Sequence, residues 1–170
     1  NGIYGDVFTI PEPFIPKVGA RIMSLQNPTS KMSKSESDPG GCICLLDKPE
    51  DIMRAFKRAV TDSDTVVRHD VKEKPGISNL MQIYAVCTGR TFEEIEREFA
   101  GKGYGDFKKA VGEATVELLR PLQEEFRRIY ADKAYLEDVC AEGAQQARHR
   151  AAKTLAKVYK KVGFVPKKRQ

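Results

Sequence analysis

The sequence has no apolar run long enough to cross a membrane and no charged-then-apolar leader of the secretory kind. It is also short of the residues that build metal centres. Its cysteines are Cys42, Cys44, Cys87 and Cys140, and its histidines are His69 and His149. Zinc sites usually draw on two close pairs of ligands, and only Cys42 and Cys44 make one. The expected state is reduced thiols in a cytoplasmic protein, with no metal held by the chain. Internal repeats and long low-complexity tracts are also missing. From Gly143 to Gln170 there is no acidic residue at all, against nine basic ones: Arg148, Arg150, Lys153, Lys157, Lys160, Lys161, Lys167, Lys168 and Arg169. The whole chain is +5, so the remainder carries 20 basic against 24 acidic residues, net −4. A basic tail on an acidic body points to a polyanionic partner. The competing reading is a solvated helix end whose cations suit the carboxyl pole of the helix dipole.

What is present describes a soluble globular chain: 41% hydrophobic and 31% charged residues over 170 positions, enough for one domain and part of another. The chain opens at Asn1 instead of Met and enters at once a strand-like run, Val7-Phe8-Thr9-Ile10. That reads as the interior of a longer protein, with a strand whose partners lie elsewhere. Residues 1–46 read as strand and loop. Pro11, Pro13 and Pro16 fix φ and lack a backbone donor, and Asn27-Pro28 and Pro39-Gly40-Gly41 mark turns.

From residue 47 the pattern is helical. Asp47 is the expected cap of a helix carrying Ile52, Phe56 and Val60, and Ser78 of one running through Leu80, Ile83, Tyr84 and Cys87. Thr91 with Glu94 is a capping-box pattern ahead of Ile95 and Phe99. Asp106 opens a long helix from Phe107 to Ile129, with a kink expected at Pro121. A turn near Tyr135-Leu136 leads to a last helix with Ala144, Ala147, Ala151, Leu155, Val158 and Val162 on one face, ended by Gly163. The expected fold class is mainly α, a small α/β remnant followed by a helical bundle.

The chemical signal is Lys31-Met32-Ser33-Lys34-Ser35, in a polar loop from Thr29 to Asp38. Lysine is a compact charge on a long stem, so two of them can follow a phosphate as it moves. Serine hydroxyls and loop amides donate to the same oxygens. The glycine spacing of a Walker loop is missing. The pentapeptide matches the second signature of class I aminoacyl-tRNA synthetases at every position. Around it, Ile15-Pro16-Lys17-Val18-Gly19-Ala20-Arg21-Ile22-Met23-Ser24-Leu25 resembles the bacterial tryptophan enzymes of that class. So do Ala59-Val60-Thr61-Asp62-Ser63, Lys74-Pro75-Gly76-Ile77-Ser78-Asn79-Leu80, Gly101-Lys102-Gly103-Tyr104-Gly105 and Glu142-Gly143-Ala144. The resemblance covers essentially the whole chain.

It implies that residues 1–46 end a Rossmann-like nucleotide-binding catalytic domain and that residues 47–170 form a helical domain facing the tRNA anticodon. The implied activity is ATP-dependent activation of tryptophan and its transfer to tRNA-Trp, with Mg2+ sharing the phosphate charge. Lys31 and Lys34 are the implied catalytic residues, and Ile22, Lys31, Met32, Ser33, Lys34 and Ser35 the implied ATP-binding set. Arg148, Lys153, Lys157, Lys160 and Lys161 are the implied tRNA contacts. The family's first signature, a His-x-Gly-His-like sequence, is absent here, and its tryptophan pocket is built from the amino-terminal half. The chain alone is therefore expected to be inactive, and the homodimer of the family is expected only of the full-length protein. Two rivals are a tyrosine enzyme of the same class and a non-catalytic helical RNA-binding module. The Thr61-Asp62-Ser63 and Gly76-Ile77-Ser78-Asn79 segments argue against the tyrosine enzyme.

Overall fold

The structure is a computed structural model that describes residues 1–35 and 39–165; Lys167, Lys168 and Arg169 of the basic tail lie outside the described residues. Proline sets two of the helix starts. Helices α1 (Pro49–Arg58) and α2 (Pro75–Thr88) both have proline in the first turn, where its fixed φ helps and its missing donor costs nothing. Their N-caps are Lys48 and Lys74, and neither caps through its side chain. This corrects two expectations. Asp47 Oδ2 accepts from the Cys44 N–H at 2.8 Å instead of capping α1. Ser78 lies inside α2, where its Oγ accepts from the Asp70 N–H at 2.9 Å. Val60, expected on the first helix, lies beyond its end.

Helix α3 (Phe92–Glu98) begins with the expected reciprocal box between Thr91 and Glu94. Helix α4 (Tyr104–Ala131) starts two residues before Asp106 and carries Pro121 inside it. The break before α5 (Lys133–Val162) falls at Asp132, not at Tyr135-Leu136, because Asp132 Oδ1 accepts from the Tyr135 N–H at 3.0 Å and starts the helix there. Gly163 ends α5 at φ 84°, as its position suggested. Val7–Ile10 is not a strand. A strand exists through its partner, and the one bridge among the described residues joins Met23 to Lys31. The Asn1 side chain takes that role locally, accepting from the Val7 and Phe8 N–H groups and donating to the Phe8 carbonyl.

Packing divides the chain into two units, residues 15–125 and residues 1–14 with 126–170. The first holds the core, in which Leu25, Ile52, Phe56, Ile77, Leu80, Met81, Ile95, Phe107 and Val111 are almost fully enclosed. Each such side chain stabilises by about 1.5–3 kcal/mol. Tyr84, Phe99 and Phe107 meet edge to face at its centre, with centroids 4.9–5.9 Å apart. In the second unit α5 buries none of its residues. Lys161 Nζ donates there to the Tyr4 carbonyl at 3.1 Å, and Phe126 stacks on Tyr130.

The first unit also holds a buried charge. Lys74 is only 5% exposed. Its ammonium lies 2.5 Å from Asp64 Oδ2, 3.4 Å from Asp62 Oδ1 and 2.9 Å from the Tyr104 hydroxyl, which itself donates to Asp62 at 2.7 Å. Burial works against the charge, but the hydrogen bonds to Asp64, Tyr104 and Asp62 outweigh it and hold the Lys74 pKa above the ordinary lysine value. Asp62 is likewise opposed by burial, yet its bonds to Tyr104 and Lys74 depress it. Asp64 is depressed chiefly by its hydrogen bond from Lys74. The cluster ties the 62–64 segment, the N-cap of α2 and the first residue of α4 together. Two residues further on, a Cβ on Gly76 would sit 2.3 Å from the Val60 carbonyl oxygen, so backbone meets backbone where only glycine fits.

This packing has two measurable consequences. Lys74→Met removes the cation between two carboxylates. It should lower the unfolding free energy by about 2–3 kcal/mol in urea titration at neutral pH, less than for a fully buried pair because Asp64 is half exposed. The depressed pKa values of Asp62 and Asp64 give stability that is present above their ordinary value of 3.8 and lost as pH falls below it. The raised Lys74 pKa gives stability that is present below 10.5 and lost only in strong alkali. The variant should therefore show a shallower acid limb than the wild type. Gly76→Ala should destabilise by about 1–3 kcal/mol through overpacking, although helix propensity alone favours alanine by about 1 kcal/mol. A raised urea midpoint for this variant would contradict the close approach.

Candidate functional site: the lysine loop

Residues 22–32 form a short antiparallel hairpin that carries the lysine loop. The Met32 N–H donates to the Ile22 carbonyl at 3.1 Å and the Ser24 N–H to the Ser30 carbonyl at 2.8 Å, with Met23 facing Lys31 between them. The expected turn at Asn27-Pro28 closes the far end. The Ser30 N–H reaches the Asn27 carbonyl at 2.9 Å, and the Thr29 N–H and hydroxyl both donate to Asn27 Oδ1. Ser24 Oγ accepts from the Gln26 and Asn27 N–H groups on the inner side.

This hairpin is rooted in the core of its unit. Asn79 on α2 accepts from the Met23 N–H and donates to the Met23 carbonyl, both at 2.8 Å. The Leu25 N–H donates to the Gly41 carbonyl at 3.0 Å, and the Leu25 carbonyl accepts from the Val60 N–H at 2.7 Å. Leu25 itself is buried, and Ile22 and Met32 pack, partly covered, against the same core.

The structure therefore brings Ile22, Lys31 and Met32 together across the hairpin, and Ser33, Lys34 and Ser35 follow directly. Lys31, Ser33, Lys34 and Ser35 are exposed. Ser33 Oγ accepts from the Ser35 N–H at 3.2 Å, the local serine turn that shapes the loop. Among the described residues no ion pair joins Lys31 or Lys34 to a carboxylate. Two ammonium groups beside a polar turn, on a fixed root, can grip a phosphate chain.

The cations named for tRNA lie apart from this loop in the chain, on α5. Lys153, Lys157, Lys160 and Lys161 recur at helical spacing on one face of the helix and are exposed. Arg148 does not join them. At 100° per residue it stands about 140° round the helix from Lys153, on the side of Ala144, Ala151 and Val162. In the sequence Asn79 stands out only as part of the Lys74–Leu80 resemblance, and its role as an anchor comes from the structure. The available signal is a carboxamide set among Ile77, Leu80, Met81 and Ile83, and the structure leaves it only 3% exposed.

The cysteines are free thiols, and burial pushes the Cys87 thiol up, although Thr115 partly offsets this. His69 stacks flat on Phe92 with centroids 4.0 Å apart, which is a packing role. Among the described residues no group of three His, Cys, Asp or Glu side chains is arranged to hold a metal ion. No helix there is long and apolar enough to cross a membrane.

Comparison with known proteins agrees with this geometry. The family described as tRNA synthetases class I (W and Y) matches residues 1–120. A tryptophan–tRNA ligase from Wolinella succinogenes is 50% identical over 165 residues, covering 97% of this chain and 50% of that protein. The crystal structure of tryptophanyl-tRNA synthetase from Mycoplasma pneumoniae superposes with a TM-score of 0.80 at 32% identity, over 88% of this chain and 45% of that one. The Campylobacter jejuni tryptophanyl-tRNA synthetase, solved with ADP and tryptophan, shares the fold with a TM-score of 0.65 at 23% identity, over 96% of this chain and 50% of that one. The chain thus spans about half the length of the relatives it matches. With a lysine loop of the class I type on a rooted hairpin and a family match across residues 1–120, the chain belongs to the class I tRNA synthetases of the tryptophan and tyrosine group.

Proposed function

We propose that the complete protein carrying this chain is a tryptophan–tRNA ligase, and that this chain supplies its lysine loop and its tRNA-facing helices. One observation carries the reading: Lys31, on a hairpin held by Asn79, Gly41 and Val60, and Lys34, just beyond it, stand exposed with no ion-pair partner among the described residues. The 50% identity to a tryptophan–tRNA ligase supports tryptophan over tyrosine as the substrate. On this reading residues 1–46 belong by role to the nucleotide-binding part and residues 47–170 to the tRNA-binding part, whereas the packing units follow contact. The tryptophan pocket and the homodimer contacts belong to the other half, and the protein works in the cytoplasm.

The tryptophan carboxylate attacks the α-phosphorus of ATP. The bond to pyrophosphate breaks, and tryptophanyl-adenylate remains. Negative charge grows on the departing pyrophosphate, so ammonium groups that follow it bind the transition state more tightly than the ground state. Lys34, in the exposed turn, carries most of this, and Lys31, at the hairpin edge, the rest. Ser33 and Ser35 shape the turn and donate to phosphate. Ile22 and Met32 lie beside the adenine, largely through their backbone. Mg2+ would share the phosphate charge, and this chain adds to it the two lysine ammonium groups and the serine hydroxyls of the loop. A hydroxyl of the 3′-terminal ribose of tRNA-Trp then attacks the aminoacyl carbonyl, the bond to the adenylate phosphate breaks, and AMP leaves. Phosphates of that tRNA bind the cationic face of α5.

Lys34→Ala should slow tryptophan activation at least about a hundredfold, roughly 3 kcal/mol at the transition state, with little change in tryptophan affinity. Exchange of labelled pyrophosphate into ATP, run with tryptophan and with tyrosine in parallel, reads both the rate and the substrate. Exchange with tyrosine alone would overturn the choice of amino acid. Reversing the charge of Lys157, Lys160 and Lys161 to Glu should weaken tRNA binding and flatten its dependence on salt. Filter binding across a salt series that gave the wild-type slope would mark that face as merely solvated.

A further inference from the structure

The Met23–Lys31 pair is of the kind whose own backbone groups point away from each other, since the flanking bonds run from Met32 to Ile22 and from Ser24 to Ser30. The N–H and carbonyl of Met23 therefore face outward, where a third strand would normally pair with them. Among the described residues no strand lies there. Asn79 takes both groups instead, one atom of its carboxamide accepting and the other donating, each at 2.8 Å. A carboxamide is the side chain with a donor and an acceptor spaced like those of a peptide group.

Asn79 is itself buried. It is 3% exposed and sits on α2 between the fully enclosed Ile77, Leu80 and Met81. One turn back, Lys74 binds α2 to Asp62, Asp64 and Tyr104. We propose that Asn79 is a positioning residue for the lysine loop: its carboxamide stands in for a missing strand and fixes the Met23 strand, against which the strand carrying Lys31 is paired and beyond whose end Lys34 departs. The proposal rests on the reading of Lys31 and Lys34 as the groups that grip pyrophosphate. Asn79 touches neither substrate nor reacting atoms. It acts through the register of the hairpin, so its loss should fall on turnover and spare the binding of tryptophan.

The test is a mutant cycle in the complete protein, read by tryptophan-dependent pyrophosphate exchange. Asn79→Ala should lower kcat about ten- to a hundredfold and leave the KM for tryptophan within about threefold, the size expected when positioning is lost. In a background already carrying Lys31→Ala and Lys34→Ala, the same change should cost less than about threefold more, because residues acting as one unit are not additive. Losses that multiply fully would overturn the proposal and mark Asn79 as a general stabiliser. Asn79→Asp keeps the acceptor and the shape but removes the donor, and so tests the point if the alanine variant does not fold. Its Ser24 and Met32 amides should exchange with solvent at least about tenfold faster than in the wild type, while those of Leu80 and Ile83 in α2 stay protected. Unchanged protection at Ser24 and Met32 would also overturn it. Absence of exchange activity in the wild type defeats the ligase reading and this proposal with it. Wild-type activity with a fully multiplicative cycle defeats the role of Asn79 alone.

Discussion

Lys74 stands at the start of α2 with its ammonium almost wholly out of water, and most of what α2 does afterwards depends on that charge being satisfied. An isolated ammonium in such a place costs several kcal/mol. Here two carboxylates and a phenol surround it. They come from the 62–64 segment and from the first residue of α4, so the charge cannot be met unless these pieces have found one another. Gly76 then lets the helix lie directly on the Val60 backbone. With its start fixed in this way, α2 presents Ser78 to Asp70 and Asn79 to Met23 at set positions. An ion cluster of this kind is a modest source of stability. Its larger effect is to admit one arrangement of three segments and penalise others.

The lysine motif divides its five residues between two tasks. Met32 belongs to the hairpin, hydrogen-bonded to Ile22 and packed against the core. Lys31 and Lys34 face solvent, and Ser33 bends the chain between them and Ser35. On the proposed function the loop grips a mobile polyanion, and that task demands both properties at once. The stems need freedom to follow the charge, while their attachment points must be placed beforehand so that little ordering is left to do on binding. A buried carboxamide and two backbone hydrogen bonds at Leu25 supply the placement without using any charged group near the site.

Much of this was legible in the residues, and where it was not the reasons are physical. Local reciprocal signals were accurate: the Thr91–Glu94 box and the Gly163 terminator are where the spacing put them. The two missed helix starts share a cause. Asp47 and Ser78 are good caps by type, but Pro49 and Pro75 are better first-turn residues, and the prolines decided. Asp132 is the opposite case, a cap that falls three residues before the turn expected at Tyr135-Leu136. Val7–Ile10 has strand composition without a partner among the described residues, and composition cannot supply one. For the site, the lysine pentapeptide was plain as a string. Asn79 was not, because its role depends on Met23, 56 positions away.

Leu25 closes a ring. Its N–H meets the Gly41 carbonyl at 3.0 Å, so the two ends of the lysine segment meet in the backbone at this residue. Residues 26–40 are thus an excursion closed at its ends, with Met32 as its own point of contact with the core. The entropy of such a closure rises only with the logarithm of the contour length, about 0.6 kcal/mol for each doubling. The distal part of the excursion can therefore be lengthened, shortened or recomposed at almost no cost to the core beneath. Folding fixes the closing bond and constrains the length between its ends only weakly, so on the proposed function a change in that length would be felt in chemistry long before it was felt in stability.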